Sequence, residues 1–418
     1  MPKIYIIDVT NRDGVQTSRL GLAKLEKTII NLKLSEMGIF QSEFGFPITN
    51  HEINYLNANL ELARLGVLNS MRLSGWIRAT TEDVEAAFKN VPEIKHLNIS
   101  ISTSDQMIQG KFQGRKARQD VVNSMVEALK KAKELGAETV GVNAEDASRT
   151  DENFLMEFSL AAKDNGADRI RYCDTLGYDT PSVTRKRIYN LASSVKIPIE
   201  IHCHNDLGMA VACSYEGALG AIDAGVDAYI NTTINGIGER AGNCDMVSVL
   251  LSILKSSATA EKEYKDILDP AINLKKAYNL AKYASYAFRV PIPINQVGVG
   301  DNAFAHESGI HADGALKDRR NYELYDLEEL GRGEIETVEV GRKITTGEYG
   351  GIKGFKHVFE KDLKVEFKDD KEAHRILELV RFANVHTQKP LTKEELMFVY
   401  KYPAIASKVM TVTPPNGN

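Results

Sequence analysis

Two histidines separated by one residue, in Ile201-His202-Cys203-His204-Asn205-Asp206, are the densest local signal for chemistry in this sequence. In a strand, residues i and i+2 point to one face, so both imidazoles converge while Cys203 faces the other way. Two imidazoles and a carboxylate from another strand suit a borderline divalent ion such as Zn, Mn, Co or Fe. Taken alone, the pair fits two hydrogen-bonded structural histidines equally well. Asp13 tips the balance toward a metal, because it ends the first strand, which lies near the seventh once a sheet of eight strands closes. Arg12 reads either as a salt-bridge partner of Asp13 or Glu43, or as a permanently charged donor for a substrate carboxylate or developing oxyanion.

Elements able to position these groups alternate along the chain. Short β-branched runs at 4–10, 40–46, 71–78, 96–102, 139–144, 169–174, 198–204 and 228–235 read as strands. Segments of period near 3.6 lie between them, such as 23–37 with Leu25, Ile29, Leu32 and Leu34, and 120–135 with Val122, Met125, Leu129 and Leu135. Thr80 or Thr81 before Glu82, and Thr180 before Pro181, are plausible helix starts. Strict strand–helix alternation calls for a parallel sheet with crossovers, and eight such units predict a TIM (βα)8 barrel. A doubly wound open sheet is the competitor. It is disfavoured because the first strand runs into DVTNRDG without a GxGxxG loop. The expected organisation is a catalytic barrel over 1–275, a linker or lid over 276–340, and a small mainly helical subdomain over 341–418. Within the last, 351–401 reads as helical and the tail from 412 as frayed.

In such barrels the C-terminal strand ends build the active site. Here those ends carry Asp8, Arg12, Asp13, Glu43, Arg78, Glu145, Asp146, Asp174, Thr175, His202, His204, Asn235, Glu239, Arg240 and Asn243. A purely structural reading explains any one of them but strains to explain all. Gly236, Gly238 and Gly242 fit tight turns better than phosphate binding. His306 and His311 lie five apart and need not share a helix face; His311 is the candidate for chemistry and His306 for structure.

The chain has 418 residues, a formal charge of -5 and 43% hydrophobic residues. These values exclude a dedicated nucleic-acid binder but leave room for a local basic patch. No signal peptide or membrane span is evident. Four cysteines without CxxC spacing predict reduced thiols and a cytoplasmic setting.

Four separated motifs, DVTNRDGVQ (8–16), HCHNDLG (202–208), NGIGERAGN (235–243) and AHESGIH (305–311), resemble the DRE-TIM metallolyases. Within them the likeness is to the branch that condenses acetyl-CoA with 2-keto acids: isopropylmalate, homocitrate and citramalate synthases. It covers about residues 4–350. FQSEFGFP (40–47), SGWIRA (74–79) and GVNAEDASR (141–149) are similar to the citrate-forming members, which implies oxaloacetate as the keto acid. The resemblance implies one divalent metal (Mn, Co, Mg or Zn) held by Asp13, His202, His204 and Asn243. It implies Arg12 as the keto-acid and oxyanion ligand, Thr175 at the substrate carboxylate, and Glu43 and Arg78 in the pocket. Glu145 and His311 become the acid–base pair, with His311 supplied by the partner in a homodimer.

Asn11 and Val15 depart from the leucine and glutamate usual in the first motif, and TTGEYGG (345–351) replaces the usual GKHSG. The chain ends without a long regulatory domain, which predicts no feedback inhibition by leucine. Homocitrate synthase, acting on 2-oxoglutarate, is the nearest rival. A retro-aldol acyl-CoA lyase is disfavoured because the glycine loop 236–242 has no cysteine, and a biotin-linked carboxyltransferase because no lysine sits on the seventh strand.

Overall fold

The structure is a computed structural model describing residues 1–260, 264, 266–333 and 351–412. The charged stretch 317–339 beyond residue 333, the departure at 345–350 and the tail from 413 lie outside the described residues.

Eight parallel strands close into a barrel in chain order. They are β1 (Ile4–Asp8), β2 (Gln41–Gly45), β3 (Arg72–Arg78), β4 (His96–Ser102), β5 (Thr139–Glu145), β6 (Arg169–Asp174), β7 (Ile199–Cys203) and β8 (Ala228–Thr232). β1 pairs with both β2 and β8, with Ile4 opposite Ala228 and Asp8 opposite Thr232, and this pairing seals the ring.

The crossovers carry helices α1 (Lys24–Glu36), α2 (Ile53–Arg64), α3 (Thr81–Asn90), α4 (Asp105–Phe112) and α5 (Arg118–Glu134). They continue with α6 (Glu152–Asp164), α7 (Pro181–Val195) and α8 (Ala210–Asp223), and α9 (Met246–Lys255) follows the last strand. Thr80 caps α3 by accepting from the Asp83 N–H, and Pro181 opens α7. Leu25, Ile29 and Leu34 are buried as expected and Leu32 is half-buried. Leu135 corrects its reading: α5 stops at Glu134, and the leucine is exposed.

Alternation divides each strand between two environments. Ile170, Tyr172, Ile199, Ile201, Cys203 and Ile230 belong to the apolar layer under the helices. Their neighbours Arg169, Arg171, Glu200, His202, Tyr229 and Asn231 face the axis. Tyr5, Phe40 and Tyr229 plug the axis at the N-terminal end, with ring centroids 4.9, 5.1 and 5.4 Å apart. Above this plug the interior is polar.

Two strands, β1 and β8, end two or more residues earlier than the sequence suggests. After Asp8 the N–H groups of Arg12, Asp13 and Gly14 all turn back to the carbonyl of Val9, which ends the ladder. After Thr232 the chain enters a short turn with Asn235 at φ 59°, in the left-handed region.

Beyond the barrel lie α10 (Ser257–Ala260), α11 (Ala277–Phe288), α12 (Gly309–Lys317), α13 (Ile352–His357), α14 (Asp370–Thr387), α15 (Lys393–Lys401) and α16 (Pro403–Met410). The C-terminal helices pack on the barrel flank: His386 Nε2 accepts from the Lys24 N–H at 3.0 Å, Tyr283 donates its hydroxyl to Glu395 at 2.7 Å, and Asn54 donates to the Thr411 carbonyl at 2.7 Å. Among the described residues no helix is long and apolar enough to cross a membrane.

Candidate metal centre and its surroundings

Closure of the barrel places β1 beside β8 and β8 beside β7, so Asp13 arrives over the two histidines. Asp13 Oδ2 lies 3.4 Å from His202 Nε2 and 3.8 Å from His204 Nε2, and the two Nε2 atoms are 3.3 Å apart. Among the described residues this is the one group of three or more acidic, histidine or cysteine side chains with metal-binding spacing. All three are buried. Burial alone would raise the Asp13 carboxyl, but Arg12 and the imidazoles hold it well below the ordinary carboxylate range. Burial, with His202 beside it, pushes His204 down to about 4, so its imidazole is neutral near pH 7. Cys203 faces the helix layer with Cys213 and Cys244 nearby, and burial raises its thiol. All four cysteines are buried free thiols.

Asn243 completes the cluster. Its Nδ2 donates to Asp13 Oδ2 at 2.5 Å, while its Oδ1 is buried without a partner. The preceding turn is built for this approach: a Cβ on Gly238 would sit 1.8 Å from Asn243 Oδ1, and Gly242 takes φ 94° against the Gly236 carbonyl. The glycines thus serve the turn. A carboxylate, two imidazoles and an orphaned amide carbonyl form a donor set that fits a divalent cation.

Arg12 makes both salt bridges that its neighbours offered, Nη1 to Asp13 and Nε to Glu43, each at 2.5 Å. Its guanidinium also lies 5.7 Å from the Trp76 ring centroid. Glu43 sits beneath it, fully buried. Its carboxylate also accepts from Arg171 Nη2 and Asn98 Nδ2, each at 2.5 Å. Burial opposes its charge, but Arg12 and Arg171 hold it down to about 2. Glu43 is therefore saturated and acts on the pocket through Arg12. Arg171 bridges onward to Glu200, which Arg169 also binds. The sequence reading missed this buried network. Its signal was present in the charge at alternate positions, Arg169 and Arg171 on β6 and Glu200 before His202 on β7.

The other candidates are less uniformly gathered. Glu145 ends β5, where Lys111 donates to Oε1 at 2.9 Å and Oε2 at 2.7 Å, and Ser102 adds its hydroxyl. The Thr175 hydroxyl accepts from the Asp146 N–H at 2.9 Å, and its carbonyl receives Arg240, which also grips Asp206. Among the described residues no hydrogen bond or ion pair is seen between Arg78 and Arg12, Asp13, His202 or His204. The Arg78 side chain is 67% exposed and paired with Asp83 at 2.7 Å, because the start of α3 lies against the end of β3. His311 is exposed on α12, its ring stacked on Tyr322 at 4.3 Å, a tyrosine the sequence reading did not single out. Among the described residues no hydrogen bond joins His311 to Asp13, His202, His204 or Glu145. His306 pairs with Glu323 at 3.1 Å.

Residues 3–283 match the HMGL-like family model, and 299–386 match the homocitrate synthase post-HMGL domain-like model. The chain belongs to the HMGL-like family of (βα)8 barrels. It is 61% identical over 415 residues to a citrate (Re)-synthase of Dehalococcoides mccartyi, covering 99% of each chain. It is 37% identical to 2-isopropylmalate synthase 2 of Caldanaerobacter subterraneus subsp. tengcongensis, covering 98% of each. To homocitrate synthase 1 of a Nostoc species it is 32% identical, covering 96% of this chain and 98% of that one. Among solved structures, an HMG-CoA lyase from Brucella melitensis shares the fold at TM-score 0.56 and 13% identity, covering 69% of this chain and 100% of that chain.

Proposed function

We propose that the protein catalyses a metal-dependent Claisen-type condensation of acetyl-CoA with oxaloacetate, giving citrate and CoA. The observation that carries this reading is the convergence of Asp13, His202 and His204 beside the Arg12 guanidinium. The choice of oxaloacetate rests on the 61% likeness to a citrate (Re)-synthase.

A divalent ion (Mn, Co, Mg or Zn) held by Asp13, His202, His204 and Asn243 would supply Lewis acidity toward the keto carbonyl. Arg12 binds the keto acid and stabilises the charge that develops on its oxygen. Glu43 and Trp76 hold that guanidinium in place, and Thr175 offers a hydroxyl to the substrate carboxylate. His311, paired with Glu145, removes a proton from the acetyl methyl group. The methylene carbon then bonds to the keto carbon, and water cleaves the thioester to release CoA as the thiol. Arg78, tied to Asp83, has no part in this reading.

The protein acts as a homodimer in which His311 completes the site of the partner. Support comes from the exposure of apolar side chains around α12: Ile310 at 75%, Leu316 at 89% and Leu324 at 71%. Residues 1–275 form the catalytic barrel, 276–340 the linker that carries His311, and 341–418 the C-terminal subdomain. A cytoplasmic setting, where buried thiols stay reduced, fits the four free cysteines.

The test is thiol release from acetyl-CoA with oxaloacetate, 2-oxoglutarate, pyruvate or 2-ketoisovalerate. Oxaloacetate is expected to give the highest kcat/KM. Preference for 2-oxoglutarate would make the protein a homocitrate synthase, and release with none of them rejects a condensing enzyme.

A further inference from the structure

His202 is held from behind. Its Nε2 is turned toward Asp13 and His204, and its Nδ1 lies 3.1 Å from the side-chain oxygen of Asn231 on β8. The other edge of that amide, Nδ2, donates to Glu200 Oε1 at 2.7 Å. Glu200 is fully buried on β7. Arg171 Nε binds its Oε1 at 2.6 Å and Arg169 Nε binds its Oε2 at 2.5 Å. These five side chains come from three adjacent strands and all face the barrel axis.

The chemistry of the groups fixes their orientation in sequence. A carboxylate between two arginines is ionised and can only accept. The edge of Asn231 facing it must therefore be the NH2 group, which turns the amide oxygen toward His202. That oxygen can also only accept, so the imidazole nitrogen opposite carries the proton. The lone pair is left on Nε2, directed at Asp13 and His204.

We infer that Asn231, oriented by Glu200 with Arg169 and Arg171, is a positioning residue that fixes His202 as the Nδ1–H tautomer and presents Nε2 as a ready-made metal donor. Hydrogen bonding at one ring nitrogen sets the tautomer and ring orientation of a metal-binding histidine. His204 lacks such a partner: its Nδ1 is buried without one. Pre-organisation therefore falls on one imidazole of the pair. Arg171 also binds Glu43, the support of Arg12, so one buried ion network anchors the metal side and the substrate side of the mouth. This inference rests on the metal reading above.

Two measurements test it. In metal-free protein labelled with 15N-histidine, long-range 1H–15N correlations are expected to place the His202 proton on Nδ1; a proton on Nε2 overturns the inference without any variant having to fold. Titration with Zn2+ or Mn2+ alone, followed by calorimetry, is expected to give Asn231→Leu a Kd weakened by roughly 10- to 100-fold. An Asn231→Leu protein with native circular dichroism and unchanged Kd overturns the inference. Wild-type protein that binds neither ion would instead remove the metal reading, while the tautomer remains readable.

Discussion

The side-chain amide of Asn243 donates to Asp13 Oδ2 across 2.5 Å, joining positions 230 residues apart in the chain. The bond ties the loop after β1 to the loop after β8, and it leaves the amide oxygen of Asn243 buried and unpaired. Rotation of that amide would turn the oxygen toward the histidines. Asn243→Ala should therefore weaken divalent-metal binding by about tenfold or more, an effect of the size seen when a metal site loses a supporting group. Calorimetric titration decides it, and an unchanged Kd would remove Asn243 from the ligand set.

Arg12 spans Asp13 and Glu43 with one planar guanidinium. Arg12→Ala is expected to lower kcat by about 10²- to 10³-fold, the usual loss for a donor to a developing oxyanion. The fold should survive, since Glu43 keeps Arg171 and Asn98. Arg12→Lys should rescue little, because an ammonium cannot reproduce the two-pronged geometry. Steady-state kinetics beside circular dichroism make the comparison, and a lysine variant near wild-type kcat would reduce Arg12 to a point charge.

If His311 acts across a dimer interface, two inactive proteins should repair each other. His311→Ala mixed with Arg12→Ala, after subunit exchange, forms heterodimers with one intact site. Activity should rise well above that of either parent. No recovery in verified heterodimers would place His311 in its own subunit's site or outside the chemistry.

Asp8 supplies a pH signature. It lies on the face of β1 opposite Tyr5, fully buried, and burial pushes its carboxyl up to about 7 against the hydrogen bonds from Thr10. The folded state thus keeps a proton that the unfolded chain gives up near pH 4. The contribution to stability is complete below that pH and is lost as pH rises toward about 7, by at most about 1.4 kcal/mol per pH unit. Urea denaturation at pH 5 and 7.5 should show Asp8→Asn gaining on the wild type at the higher pH. Parallel stability at both values would mean that Asp8 is ionised in the fold.

The residues that the sequence offered as ligands, Asp13, His202, His204 and Asn243, do meet in space. Asp13, His202 and His204 were legible because their positions follow from a period of two along a strand and from the closing of eight repeats, both properties of the chain order, whereas Asn243 was offered only by the resemblance of its motif. Arg78 and Glu43 were not legible in the same way. Arg78 ends β3 and pairs with Asp83, whereas Glu43 lies in the middle of β2 and is sealed under Arg12. Which way a charged side chain goes depends on the counter-charge nearest to it after folding.

By itself, the sequence determined the barrel, the order of its strands and the types of donor at its mouth, since local periodicity and residue chemistry need no knowledge of distant contacts. Only the tertiary structure decided that Arg171 would bridge Glu43 and Glu200, and that Asn231 would stand behind His202. Those pairings arise from side chains on different strands crossing a shared interior, where each buried charge takes the partner that closure brings within reach.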